Sequence, residues 1–300
     1  MSGVKRIKTT SRCNQRCLFC DLRAGAEPGS RGLLREIALR EGAQQLNITG
    51  GEPTLRRELP AFIRAARRAG YRQIRLLTNG LRLADAAYCR ELKRAGLDEA
   101  MVAFQHTDAA VADFASSVKG AQAAKLRALK NIKTAGIQLS SNILVFSLNV
   151  SILPGIVSYL WKEFGVNPVM FSFLEPNCDS VRARPWLAPP VGPALASLKR
   201  ALEACKKSSI GWLLPYHGAL PACVYASAGI KLLRNEIAQG SDLGEGRIKG
   251  SFCAACRENG TCLGFLREYY GECLALLRKG AGRRPAPETA QRPRRSRSAS

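Results

Sequence analysis

VKRIKTTSRCNQRCLFC, residues 4–20, joins a short β-forming run to three closely spaced cysteines. Val4–Thr9 has the apolar and β-branched residues of a strand, and Cys13, Cys17 and Cys20 lie in the loop after it. The same strand-then-helix unit repeats downstream. Further strands are expected at Gln45–Thr49, Gln73–Thr78, Glu99–Gln105, Ile137–Val145 and Val169–Leu174. Helical patterns lie between them at Gly32–Glu41, Glu58–Ala69, Ala84–Ala95, Gln122–Ala135 and Leu153–Phe164, with Gly70, Gly96 and Gly136 as stops. Six strands separated by helices predict an α/β fold with a parallel sheet. Right-handed crossovers would wind it into an open barrel or a doubly wound sheet, and pattern alone does not choose.

The chain of 300 residues is long enough for one large domain or two modest ones. Its 11 cysteines are an odd number in a long chain, which argues against a disulfide scaffold and for metal-binding or catalytic thiols. MSGVKRIKTT at the N-terminus has no apolar core of a secretory signal. The uncharged stretch Thr134–Trp161 is broken by Ser140, Ser141, Asn142, Asn149, Pro154 and Gly155. A bilayer span needs roughly 20 mainly apolar residues, so no membrane segment and a cytoplasmic location are expected.

Basic residues outnumber acidic ones 46 to 23, a formal charge of +23. Residues 278–300 hold eight basic side chains against Glu288 alone, which is +7 of that excess. With no apolar periodicity and many Pro, Ser and Arg, they read as a disordered basic tail. Strand–helix alternation stops near Pro176, and residues 177–277 hold seven of the cysteines. Three regions are therefore expected: a core at 1–176, a cysteine-rich module at 177–277 held together by metal, and the tail at 278–300.

The C-x3-C-x2-C of Cys13, Cys17 and Cys20 places three thiols where open α/β sheets and barrels carry their sites. Zinc would ordinarily take a fourth Cys or His, and His106 is the only histidine in this half. Three thiolates on a four-iron cluster leave one iron open for chemistry. Phe19 precedes the last cysteine, Gly50-Gly51-Glu52-Pro53 closes the second strand, and Leu77-Thr78-Asn79-Gly80 closes the third. Together these motifs, over roughly residues 3–176, resemble the radical S-adenosylmethionine (SAM) superfamily.

The resemblance implies a partial (β/α)6 TIM-like barrel with a [4Fe–4S] cluster on Cys13, Cys17 and Cys20. SAM would chelate the open iron. Gly50, Gly51 and Glu52 would bind its methionine ammonium, Phe19 would lie near the adenine, and Thr78 and Asn142 would contact its carboxylate or ribose. Reductive cleavage of SAM would give a 5′-deoxyadenosyl radical that abstracts a substrate hydrogen. The segment Gly136–Asn142 departs from some branches of the superfamily in lacking an acidic residue.

The second module carries Cys253-x2-Cys256-x5-Cys262, with Cys223 upstream and Cys273 downstream. Four thiolates suit zinc or an iron–sulfur cluster. After such a core, the pattern resembles the SPASM and twitch extensions, which hold auxiliary [4Fe–4S] clusters and often accompany peptide modification. Leu266 stands where the full SPASM pattern has another cysteine, so one twitch-like cluster is the better fit. Cys223 is favoured as its fourth ligand over Cys273, which falls in a helical pattern at Phe265–Leu277.

Cys89 and Cys205 read as small core residues, and Cys178 lies just past the last strand. His106 and Asp108 follow the fourth strand and are candidates for the cavity, whereas Tyr216 and His217 read as loop. The expected function is hydrogen abstraction from a peptide or protein, with a reductant such as flavodoxin or ferredoxin. Cofactor biosynthesis or RNA modification are alternatives, the second kept open by the positive charge. A non-catalytic iron–sulfur or zinc protein, binding nucleic acid or carrying electrons, is the alternative of a different class.

Overall fold

The computed structural model describes residues 3–21, 26–176, 178–214, 220–230, 246–257, 259–260 and 262–280. Tyr216, His217 and the tail from residue 281 onward lie outside them. Seven strands form one parallel sheet in simple sequence order. They are β1 Gly3–Lys8, β2 Ala43–Thr49, β3 Gln73–Thr78, β4 Glu99–Ala103, β5 Gln138–Val145, β6 Val169–Phe173 and β7 Trp212–Leu213.

Helices cross over between the strands: α1 Ser30–Ala38, α2 Leu59–Arg68, α3 Ala86–Ala95, α4 Ala109–Ser116, α5 Ala121–Thr134 and α6 Leu153–Phe164. With β1 and β7 at the two edges, the α/β sheet is a partial barrel, resolving the choice that the sequence pattern left open. Every strand runs the same way, so all strand C-termini arrive at one rim.

The core follows from the strand sequences. Leu46, Ile48, Ile74, Leu76, Ala100, Val102 and Ile143 are fully buried under helical residues such as Ile63, Leu92, Leu129 and Ile156. Along β3 and β6 buried and half-buried residues alternate, the period of two that sends successive side chains to opposite faces of the sheet. Asp85 caps α3 by accepting from the Ala87 and Tyr88 N–H groups, and Gly96 ends it in the left-handed region at φ 109°.

The sheet does not stop at the boundary expected near Pro176. After α7 Asp179–Arg182, the 17-residue α8 Val191–Lys207 packs beside α6, and β7 then pairs with β6. Two residues are too short a strand to read from alternation. The short α4 was also not foreseen, because Ala109–Ser116 is an alanine-rich segment with little apolar periodicity.

Past α9 Ala222–Ser227, the antiparallel pair β8 Arg247–Ile248 and β9 Phe265–Leu266 precedes α10 Tyr270–Gly280. The expected helix over Phe265–Leu277 is thus corrected at its start. Phe265 and Leu266 are buried strand residues because they pair with Ile248 and Arg247, a long-range contact invisible to local period.

Candidate cluster and cofactor site

The loop after β1 is built against two neighbours. Along β2 and its turn, the Thr9 N–H donates to Thr49 O at 2.8 Å, Gly51 N–H to Thr10 O at 2.7 Å, and Glu52 N–H to Arg12 O at 2.8 Å. On the other side, Arg16 N–H donates to Ser116 O at 3.1 Å and Leu18 N–H to Ala115 O at 2.9 Å. The cysteine loop is therefore held between the β2 turn and the end of α4.

Gly50 explains why this turn is glycine-rich. Its φ is 149°, and a Cβ there would lie 2.5 Å from Thr10 O and 3.0 Å from Thr10 N. No side chain fits that approach.

Cys13, Cys17 and Cys20 fall within electrostatic range of one another. Burial pushes the Cys17 thiol up to about 11, Cys20 adds to the rise, and the Lys125 ammonium opposes it. Burial also raises Cys13, against the N–H of Gln15, which donates to its Sγ at 3.4 Å. Asn79 Nδ2 reaches the same sulfur at 3.7 Å and Asn14 Oδ1 at 2.7 Å.

Two features fit a cluster here: the all-thiol donor set, and Gln15 Nε2, which is buried without a hydrogen-bond partner. Among the described residues, no three His, Cys, Asp or Glu side chains close to the spacing of a single-ion site. Three thiolates on a four-iron cluster would leave one iron open for chemistry.

Glu52 is completely buried, and its carboxylate faces inward. Oε1 accepts from Thr54 N–H at 3.0 Å, Thr54 Oγ1 at 2.6 Å and Thr78 Oγ1 at 2.7 Å, and Oε2 accepts from Asn79 N–H at 2.7 Å. Burial raises its pKa despite these donors. The acid thus locks the β2 turn to the end of β3, so Gly50, Gly51 and Thr78 share one rim.

Phe19 meets Phe146 edge-on with ring centroids 5.2 Å apart, in a small apolar cluster with Leu174, Val181 and Leu187. Asn142 lies on β5, where its Oδ1 accepts from Ser172 Oγ at 2.9 Å. His106 Nδ1 accepts from Asp108 N–H at 3.0 Å, and Asp108 caps α4 through the Val111 N–H. Both therefore serve neighbouring backbone.

Sequence reading missed two features. Asp21, directly after Cys20, accepts from Ser180 N–H at 2.7 Å and from the Cys178 thiol, pinning the cysteine loop to α7. Burial, then the Asp21 charge, pushes that thiol up to about 12, and Cys20 is nearby. The second is Lys125 on α5, 5% exposed and closest electrostatically to Cys17. A lysine in an amphipathic helix ordinarily reads as a surface residue, so no local signal marks it.

In the second module, Cys223 lies within electrostatic range of Cys262, Cys256 and Cys253. Burial, with those thiols adding, pushes it up to about 11. Cys273 on α10 is 1% exposed and neighbours Cys223. Cys89 and Cys205 are fully buried, as small core side chains should be. A cleft of about 410 Å³ lies where the segment after β6 meets α10, between Pro176, Arg182 and Tyr269.

Residues 7–151 match the profile of the Radical SAM superfamily. These residues form a domain of that superfamily. It is 30% identical over 223 residues to a PqqA peptide cyclase of Gluconobacter oxydans, covering 71% of this chain and 61% of that one. It is 42% identical over 100 residues to a probable GTP 3',8-cyclase of Metallosphaera sedula, covering 31% of each. The chain thus spans less than two thirds of the length of these curated relatives. Among solved structures, native anSMEcpe with bound AdoMet and Cp18Cys peptide superposes with a TM-score of 0.62 at 14% identity, over 93% of this chain and 96% of that one. That likeness speaks to the fold. No helix among the described residues is long and apolar enough to cross a membrane.

Proposed function

We propose that the chain is a radical SAM enzyme that acts on a peptide or protein substrate by hydrogen abstraction. The carrying observation is the rim itself: three thiols on the β1 loop, which is packed against the Gly50–Glu52 turn at the end of the sheet where all strand C-termini converge. Cys13, Cys17 and Cys20 are assigned to a [4Fe–4S] cluster. When bound, this cluster with SAM would supply the electron that cleaves SAM reductively to a 5′-deoxyadenosyl radical.

The chain's own residues position and shield that chemistry. Gly50 and Gly51 are assigned to the methionine ammonium through their backbone carbonyls; the Glu52 carboxylate, expected to join them, already accepts from Thr54, Thr78 and Asn79 and fixes the turn from behind. Phe19 is assigned to the adenine side, and Thr78 and Asn142 to the SAM carboxylate or ribose. The buried residues Phe146 and Leu174, clustered with Phe19, help exclude water from the radical's surroundings.

The peptide reading draws support from the peptide cyclase, whose similarity extends over more residues than the superfamily domain alone contains. The GTP cyclase similarity is shorter than that domain. A twitch-like auxiliary [4Fe–4S] cluster on Cys223, Cys253, Cys256 and Cys262 belongs to the same reading. So do a functional division into 1–176, 177–277 and 278–300, a cytoplasmic location, and a flavodoxin or ferredoxin as one-electron donor.

Anaerobic reconstitution with iron and sulfide, followed by dithionite and SAM, tests this reading. Release of 5′-deoxyadenosine is expected. Iron-loaded protein that never yields it would sink the enzyme reading.

A further inference from the structure

Lys125 is a lysine where a lysine is costly. It lies on α5 with Gln122, Ala128, Leu129 and Ile132, all buried, and is itself 5% exposed. Its stem runs beneath the β3 turn: the Cγ is 3.8 Å from where a Cβ on Gly80 would stand, beside Val102 Cγ1 and Ala128 Cβ.

Three anionic or ionisable groups face it: Cys17 first, then Asp113 and Glu52. Both carboxylates are committed elsewhere. Asp113 accepts from the Gly120 and Gln122 N–H groups at the start of α5, and Glu52 accepts from Thr54, Thr78 and Asn79. Lys125 makes no hydrogen bond or ion pair of its own among the described residues. A lysine so nearly buried is costly unless an anion is seated beside its ammonium. The turn that covers its stem carries Asn79, whose Nδ2 reaches Cys13 Sγ at 3.7 Å, and the Cys17 thiol is within electrostatic range.

We propose that Lys125 is the buried counter-cation of the cluster held by Cys13, Cys17 and Cys20, and raises that cluster's reduction potential. The proposal rests on the functional reading above. Four-iron clusters with three thiolate ligands are anionic, and gaining one electron from an external donor makes them more so. A fixed positive charge at close range and low dielectric therefore favours the reduced state over the oxidised one. Lys125 acts through the cluster as a positioning charge and takes no proton or electron itself.

The experiment is an EPR-monitored redox titration of reconstituted wild type, Lys125→Met, Lys125→Gln and Lys125→Arg, without SAM. The relevant signal is identified beforehand as the one that SAM addition perturbs. In both neutral variants, reduction should become at least tenfold less favourable, which is about 59 mV lower for one electron. Lys125→Arg, which keeps the charge, should return most of that shift. Unmoved potentials in both neutral variants would overturn the proposal, whether or not SAM binds them more weakly. Weaker SAM binding with an unmoved potential would assign Lys125 to the methionine carboxylate instead. A wild type that holds no iron would sink the functional reading and this proposal together, whereas a loaded wild type with unshifted variants sinks this proposal alone.

Discussion

Thr78 Oγ1 donates to Glu52 Oε1 at 2.7 Å and joins the end of β3 to the turn after β2. The same hydroxyl accepts from the Gly80 N–H at 3.0 Å, so one side chain holds both halves of the rim. The acid it serves is fully buried and makes no ion pair among the described residues.

Thr78→Val keeps the shape and removes the hydroxyl, leaving a buried carboxylate one donor short. A loss of about 1–3 kcal/mol is expected. Urea denaturation of the metal-free protein measures it, and a midpoint equal to wild type would contradict the role given to this bond.

Glu52 also predicts a pH dependence. Burial raises its carboxyl in the fold, so the folded chain holds this proton to higher pH than the unfolded chain does. Its contribution is therefore most favourable below the unfolded value, about 4.3, and declines as pH rises through the folded value. Against Glu52→Gln, which cannot ionise, wild type should lose relative stability as pH is raised from that point. Unfolding free energies across the range give the comparison, and a flat difference would refute the shift.

Gly50→Ala should disrupt the site, and Gly42→Ala should not. Both glycines have positive φ, 149° and 80°, so both substitutions carry backbone strain of about 1–3 kcal/mol. Only at Gly50 would the new Cβ press on the β1 loop, whereas at Gly42 nothing lies within 4 Å. Iron content after reconstitution should fall in the first variant and hold in the second. Equal iron in both would show that the close approach of Gly50 to Thr10 is not needed to hold the cluster.

Two clusters predict about eight iron atoms per chain. Cys223→Ala and Cys253→Ala should each fall to about four while keeping the SAM-sensitive signal, and Cys273→Ala should keep the full count. Four iron atoms in wild type would eliminate the auxiliary cluster. Loss on Cys273→Ala but not Cys223→Ala would exchange the fourth ligand.

The first six strands were legible because each carries a run of β-forming residues ended by a turn, as in Gln73–Thr78 before Asn79-Gly80. α6, expected at Leu153–Phe164, forms over those residues, with Gly165 in the left-handed region as its stop. β7 was not legible: Trp212–Leu213 is a strand only because β6 lies beside it. α4 was missed for want of an apolar stripe, although its carbonyls hold the cysteine loop.

By itself, the sequence determined that three thiols sit on a loop after a strand, that βα units repeat behind them, and that glycine closes the second strand. Those are local facts, carried by spacing and period within a few residues. Tertiary structure alone decided that Glu52 turns inward and that Lys125 is nearly buried within electrostatic range of Cys17. Each depends on elements tens of residues apart being brought to one place. The parallel sheet does this for the rim by delivering every strand end to the same edge. A helix such as α5 then buries a charge that its own sequence would leave in water.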